Sequence, residues 1–234
     1  MPSLLIATTN PAKFEEASFV LGSQFHILGL KDFPEVTAVE ETGATFEENA
    51  ILKAKGYFEQ TKIPCIADDG GLMIDCLNGA PGVHSKRWVK ANDLALTGNL
   101  ASRAEHVQAS KFPRVLPRGQ NGREASDDEL AAAVLEKMRG VPQEKRTARL
   151  GGLIVFWDGE HLLKQENWIE GYITERLMGD IKPGFPYRPL LMIPQFGKPY
   201  SDLTNEEHDQ VNFRRKNLQI LKPKILEILT LGVW

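Results

Sequence analysis

Cysteine is almost missing from this chain: Cys65 and Cys76 are the two thiols in 234 residues. Two are too few for a disulfide framework, and both fall in apolar runs, so buried reduced thiols are the expectation. Long hydrophobic runs are missing too. No stretch approaches the roughly 20 apolar residues of a membrane span. The opening MPSLLIATTNPAK has no basic leader ahead of its short apolar run. The expectation is a cytoplasmic protein, neither exported nor anchored, with no membrane partner. Charge of one sign is also lacking, since the formal net charge is −3, which gives no reason to expect nucleic acid as the main partner. What is present is a chain that is 42% hydrophobic and 25% charged, long enough for one substantial core or two small lobes.

Carboxylates gather between residues 37 and 77, TAVEETGATFEENAILKAKGYFEQTKIPCIADDGGLMIDCL. Thr45 with Glu48 three residues on has capping-box spacing, and Phe46, Ala50, Ile51, Ala54, Tyr57 and Phe58 recur on one helical face. Lys53 falls on the flank away from much of that stripe, where most lysines are solvated. After the turn at Thr61-Lys62, IPCIA reads as a short strand that ends in Asp68-Asp69-Gly70-Gly71. Ligands of α/β proteins bind at the carboxyl ends of strands, and paired carboxylates there are costly unless a cation or donors compensate them. Mg²⁺ bound to phosphate fits. Glu40-Glu41-Thr42-Gly43, delivered to the same helix, has the plain alternative of a solvated acidic turn.

Residues 3–8 read as a strand, and Thr9-Asn10-Pro11-Ala12-Lys13 as a tight turn into a helix over 11–21, with proline suited to the first turn. Hydroxyls, an amide and a lysine beside free N–H groups make a cradle for phosphate. The Walker glycines are lacking, and an ordinary capped helix with an exposed lysine is the alternative.

TTNPAK, EETGATFEENAILKA, IPCIADDGGL, GAPGVHSKRW and VPQEKRTAR, in that order and spacing, resemble the inosine/xanthosine triphosphate pyrophosphatase family, house-cleaning enzymes that hydrolyse aberrant purine nucleotides. The resemblance implies a two-lobed α/β fold around a long mixed central sheet, occupying 1–234 as a single domain. It also implies a cleft between the lobes and a homodimer. The reaction would be Mg²⁺-dependent hydrolysis of a purine nucleoside triphosphate (ITP, XTP, dITP) to monophosphate and pyrophosphate. Carried over by position, Thr8, Thr9, Asn10 and Lys13 hold the triphosphate, Glu41 binds the metal, and Asp69 is metal ligand and general base. Asp68 and Lys53 support them, Asp68 at the metal and Lys53 in catalysis with Lys13.

The base-reading end departs from the pattern. In Gly184-Phe185-Pro186-Tyr187-Arg188-Pro189 an arginine stands where the family has aspartate, and His208-Asp209 with Asn212-Phe213-Arg214 replace a lysine-asparagine pair and serine-histidine-arginine, so that only Arg214 survives. Gly70 replaces a serine. Phe185 and Tyr187 remain available to stack on a base, a contact that tolerates many bases, whereas hydrogen-bonded recognition discriminates by roughly 10⁴-fold or more. Phe213 reads equally as a core residue.

Residues 89–123 read as an insertion, locally basic through Lys111, Arg114, Arg118 and Arg123, whose readings are a surface excursion, a lid, a dimer contact or a nucleic-acid arm. The other function class is therefore a nucleotide-sensing or RNA-associated module without turnover. Ser126 and Glu129 predict a helix to Met138. A strand over 150–157 and a hairpin at Asp158-Gly159 follow, then strands over 161–168 and on to Ile173. Lys145, Arg146 and Arg149 are expected to be structural. Thr204 with Glu207 opens a helix expected to run to about Leu221, before Pro223, with the tail as a last apolar turn or strand.

Overall fold

A computed structural model describes residues 1–88 and 125–231. The segment set apart as an insertion, 89–123, lies outside the described residues. The strands are β1 Ser3–Ile6, β2 His26–Gly29, β3 Cys65–Ile74, β4 Thr147–Trp157, β5 Leu162–Ile173, β6 Leu191–Ile193 and β7 Lys198–Pro199. They form a mixed seven-stranded sheet in the order β2-β1-β3-β4-β5-β6-β7, parallel at β2-β1-β3 and antiparallel beyond. The helices are α1 Pro11–Leu21, α2 Phe46–Thr61, α3 Asp127–Lys137, α4 Asn205–Val211 and α5 Phe213–Leu231.

The pleat assigns the core. Leu4, Ile6, Ile66, Ile154 and Phe156 face Ala17 and Leu21 of α1 and Leu218, Leu221 and Ile225 of α5. Leu5, Ala7, Cys65, Ala67, Leu153 and Val155 face Ala50, Ala54 and Tyr57 of α2. A third cluster lies at the other end of the long strands, where Leu72, Ile74, Ile169 and Ile173 pack against Leu130 and Val134 of α3. Arg146, 2% exposed, serves that end by donating to the carbonyls of Ile173, Met138, Val141 and Thr174. Its role is structural, as expected for a buried cation whose three nitrogens all donate to backbone carbonyls.

Five expectations are corrected. β3 does not stop at the aspartates: it runs on to Ile74 because β4 pairs with it throughout, Asp68 with Ile154 and Asp69 with Leu153. β5 is one strand to Ile173 rather than two. The helix begun at Thr204 breaks at Asn212, whose extended backbone and side-chain oxygen, accepting from Arg214 N and Arg215 N, start a new helix. That helix passes through Pro223 to Leu231, held by the buried Leu218, Leu221 and Ile225 against a proline cost of roughly 3 kcal/mol. Cys65 is buried, but Cys76 is exposed.

Candidate active site

The turn after β1 is tied down by its own side chains. Thr8 Oγ1 accepts from Asn10 N at 3.1 Å, and Asn10 Oδ1 accepts from Ala12 N and Lys13 N at 3.0 and 3.4 Å. Asn10 Nδ2 donates to Gly184 O at 3.1 Å, which fixes the helix start to the loop carrying Phe185. Thr9 is exposed on the wall of a cleft of about 1150 Å³. Asn10 thus spends its own oxygen on the helix N–H groups, leaving Thr9 and the Lys13 ammonium as the parts of this turn that face the cleft.

The two aspartates lie on opposite faces of the sheet. Alternation along β3 puts Asp69 on the side of α2, with Cys65 and Ala67, and Asp68 on the side of α1 and α5, with Ile66. β1 pairs with β3 only at Leu5–Cys65 and Ile6–Ile66. The carboxylates therefore stand beyond the carboxyl end of β1, not of their own strand; Lys13 lines the cleft, whereas Lys53, Asp68, Asp69 and Glu41 are not among its lining residues. Lys53, read above as solvated, is a correction: its ammonium is in the protein, 2.9 Å from Asp69 Oδ1, 2.7 Å from Asp68 O and 3.5 Å from Glu41 Oε1. Ala50, Lys53 and Tyr57 share one helical face, the signal that the sequence held.

Charges at this opening are coupled. Burial disfavours the charge of Lys53, but Asp69, Asp68 and Glu41 outweigh it and hold the ammonium above its ordinary value. Burial raises the Asp69 carboxyl, against the pull of Lys53. Its Oδ2 is buried and has no partner among the described residues. On the other face, Asp68 Oδ2 receives Lys13 at 2.9 Å and Arg214 at 2.8 Å, and these cations overcome burial to keep Asp68 ionised far below the usual carboxylate range. Burial lowers Lys13 to about 8, with Asp68 pulling the other way.

Glu16, which sequence reasoning missed, organises the other end. Its carboxylate accepts from Arg188 Nη2 at 2.6 Å, Arg214 Nη1 at 2.5 Å and Asn212 Nδ2 at 3.0 Å. Burial opposes its ionisation, but Arg214 and Arg188 bring the carboxyl down to about 2. The signal was chemical: a buried arginine in place of an aspartate needs a counter-ion, and Glu16 lies one turn from Lys13. Each nitrogen of the Arg214 guanidinium donates to Asp68 or Glu16. Lys13, Arg188 and Arg214 face Asp68 and Glu16, leaving one positive charge in excess in this network.

The remaining predicted site residues divide. Phe185 is half-buried on the cleft wall, its ring covered by Arg188 with the guanidinium carbon 3.5 Å from the ring centroid. Tyr187 and Phe213 line the cleft but are each 5% exposed, Tyr187 donating to Ser85 O at 2.5 Å and Phe213 packed in the core, so little of either ring is open to a base. His208 is buried, yet lines the cleft, with its ring 5.0 Å from that of Tyr200. Gly70 lines the cleft where an added Cβ would fall on Gly151 O, so the serine that the resemblance leads one to expect has no room here.

Among the described residues, no three or more His, Cys, Asp or Glu side chains form a metal cluster. A pair suffices for Mg²⁺, which keeps waters and takes phosphate oxygens. Glu41 and Asp69, which share Lys53, are the residues that could hold it, and the unpartnered Asp69 Oδ2 has the chemistry of a ligand oxygen. Asp68 is neutralised by two cations instead.

Fold and site define an α/β protein with its cleft beyond the carboxyl ends of parallel strands. The chain belongs to the Ham1 family, whose model matches residues 4–112 and 110–224. It is 34% identical over 231 residues to a dITP/XTP pyrophosphatase of Geobacillus kaustophilus, covering 98% of this chain and 97% of that one. A Bacillus subtilis protein of the same name is 32% identical, with 97% and 98% covered. Among solved structures, the Ham1 protein of Staphylococcus aureus superposes with a TM-score of 0.71 at 25% identity, covering 95% of this chain and 97% of that one. A HAM1 protein from Coxiella burnetii gives 0.71 at 28%, covering 97% and 100%.

Proposed function

We propose that this protein is a nucleoside triphosphate pyrophosphatase that cleaves aberrant purine nucleotides (ITP, XTP, dITP) between the α and β phosphates, releasing monophosphate and pyrophosphate. The observation that carries the reading is Asp69: a buried carboxylate with one oxygen on Lys53 and the other unpartnered, beside Glu41. The names of the full-length relatives agree with it.

In this reading Thr9 and Lys13 bind the triphosphate at the start of α1, and Arg214 holds Asp68 so that Lys13 points to the phosphates. Glu41 and Asp69 would hold Mg²⁺, which when bound would acidify water and offset charge on the phosphates. Asp69 is also the group that takes the proton of the attacking water in this reading. Lys53 keeps Asp69 oriented and balances its charge. Fixed cations at the transferring group are the preorganised stabilisation on which phosphoryl chemistry depends. A homodimer belongs to the same proposal, and sedimentation tests it.

Turnover of inosine, xanthosine, guanosine and deoxyuridine triphosphates, with released pyrophosphate measured directly, tests the reaction. Wild type should release pyrophosphate from the inosine and xanthosine substrates, and Asp69→Asn should lose about 10²-fold or more in kcat with nucleotide binding retained. Nucleotide binding without release of pyrophosphate from any substrate would leave a binding homologue.

A further inference from the structure

Several buried polar atoms lack partners among the described residues, among them His208 Nδ1, Tyr200 Oη and Arg215 Nε, and the rings of His208 and Tyr200 lie 5.0 Å apart. His208 and Arg215 line the cleft itself. Arg188 stands beside them, its guanidinium held between the rings of Phe185 and Tyr200 at 3.5 and 4.9 Å. Its Nη2 is bonded to Glu16, while Nε and Nη1 have no bond among the described residues. Arg214, by contrast, is bonded through all three of its nitrogens, to Asp68 and Glu16. Because Glu16 serves both guanidinium groups, the charge of Arg188 is only partly answered.

We propose that Arg188 and His208 read the carbonyl–imide edge of an oxidised purine and give this cleft a preference for the anionic xanthine base over the neutral hypoxanthine base. The inference rests on the pyrophosphatase reading above and names its favoured substrate. Arginine offers donors only and stays charged, so it pairs with carbonyl oxygens and with negative charge. Xanthine carries two ring carbonyls and loses a ring proton near neutrality; hypoxanthine has one carbonyl and stays neutral there. An amine on the same edge, as in adenine or guanine, would set donor against donor. A half-enclosed site strengthens the Coulomb difference over its value in water.

His208 complements the arginine. The groups facing it are Arg188, Arg215, Lys182 and Glu16, and burial together with the cations lowers its pKa to about 4, so the imidazole is neutral at physiological pH. A neutral ring has one nitrogen able to accept from an imide N–H. Its Nδ1, without a partner in the protein, has the capacity for that bond.

Two measurements test the proposal. In the first, kcat/KM for xanthosine and inosine triphosphates is compared in wild type, Arg188→Gln and Arg188→Lys. Wild type should favour xanthosine by about tenfold or more, Arg188→Gln should reduce the ratio to near one, and Arg188→Lys should keep most of it. An unchanged ratio in a folded Arg188→Gln overturns the proposal while leaving the pyrophosphatase reading intact.

The second uses wild type alone, so it holds even if Arg188→Gln fails to fold. Calorimetric binding of xanthosine and inosine monophosphates is compared at pH 5 and pH 7.5. Preference for xanthosine monophosphate should grow with ionisation of its base, and equal pH dependence for both ligands overturns the proposal. Selective xanthosine monophosphate binding without hydrolysis of any triphosphate would instead sink the pyrophosphatase reading and retain the base preference.

Discussion

Lys13 carries the most direct pH signature. With its ammonium near pKa 8, the cation offered to phosphate is present below that value and lost as pH rises through it. KM for the triphosphate should therefore rise several-fold between pH 7 and pH 9, and Lys13→Met should be weak and flat over the same range. Glu16 makes a stability prediction of opposite sense. Its carboxyl falls from 4.5 to about 2 on folding, so its contribution is complete above the unfolded value and lost as pH falls toward 2. Glu16→Gln should lower the urea unfolding free energy at pH 7 by about 3 kcal/mol, and the difference from wild type should shrink on acidification. Lys53 and Glu16 show what the sequence signalled only weakly. A helical wheel ranks faces by hydrophobicity, but Lys53 points inward because β1 stops short and leaves room for an ammonium beside Asp69. Glu16 looked like any helix-surface acid until Arg188 and Arg214 arrived from far along the chain.

Elements were most readable where side chains close local rings. The three capping boxes, Thr45 with Glu48, Ser126 with Glu129 and Thr204 with Glu207, all form, since each needs only four consecutive residues. The extent of β3 was not readable, because Asp-Asp-Gly-Gly is poor strand sequence and is held extended by β4. The facing glycines explain how: Gly70 pairs with Gly152 and Gly71 with Gly151, and a Cβ at Gly70 would strike Gly151 O. Gly70→Ser, although it supplies the residue the resemblance calls for, should destabilise the protein by about 1–3 kcal/mol or more and lower turnover. A urea midpoint and a pyrophosphate assay check both effects. The break at Asn212 escaped notice for a different reason, since an amide capping the next helix looks like any polar residue within a long one.

At the scale of the whole molecule, charge is distributed against its sum. A chain with formal net charge −3 lines its cleft with six basic side chains, Lys13, Lys86, Lys182, Arg188, Arg214 and Arg215, against Glu15, Glu16 and Asp127. Net charge alone hid that field. An anionic substrate entering it should feel screening, so KM for the triphosphate should rise by about 3-fold or more between 0.05 and 0.5 M salt at constant Mg²⁺, with kcat less affected. A flat salt response would show that the cleft does not steer its ligand. The overall architecture was legible because order and spacing of motifs span nearly the whole chain, whereas the closing of the base end by Arg188, Glu16 and Tyr200 depends on contacts between distant segments.

Neighbouring aspartates with their backs to one another make this strand a ruler with a parity rule. One extra residue ahead of them would hand the acid meant for Lys53 to Lys13 and Arg214, and the reverse, with both acids still in the chain. Length variation is therefore tolerable in the loops but forbidden between Cys65 and Asp69, where a single inserted residue would be enough to silence the protein.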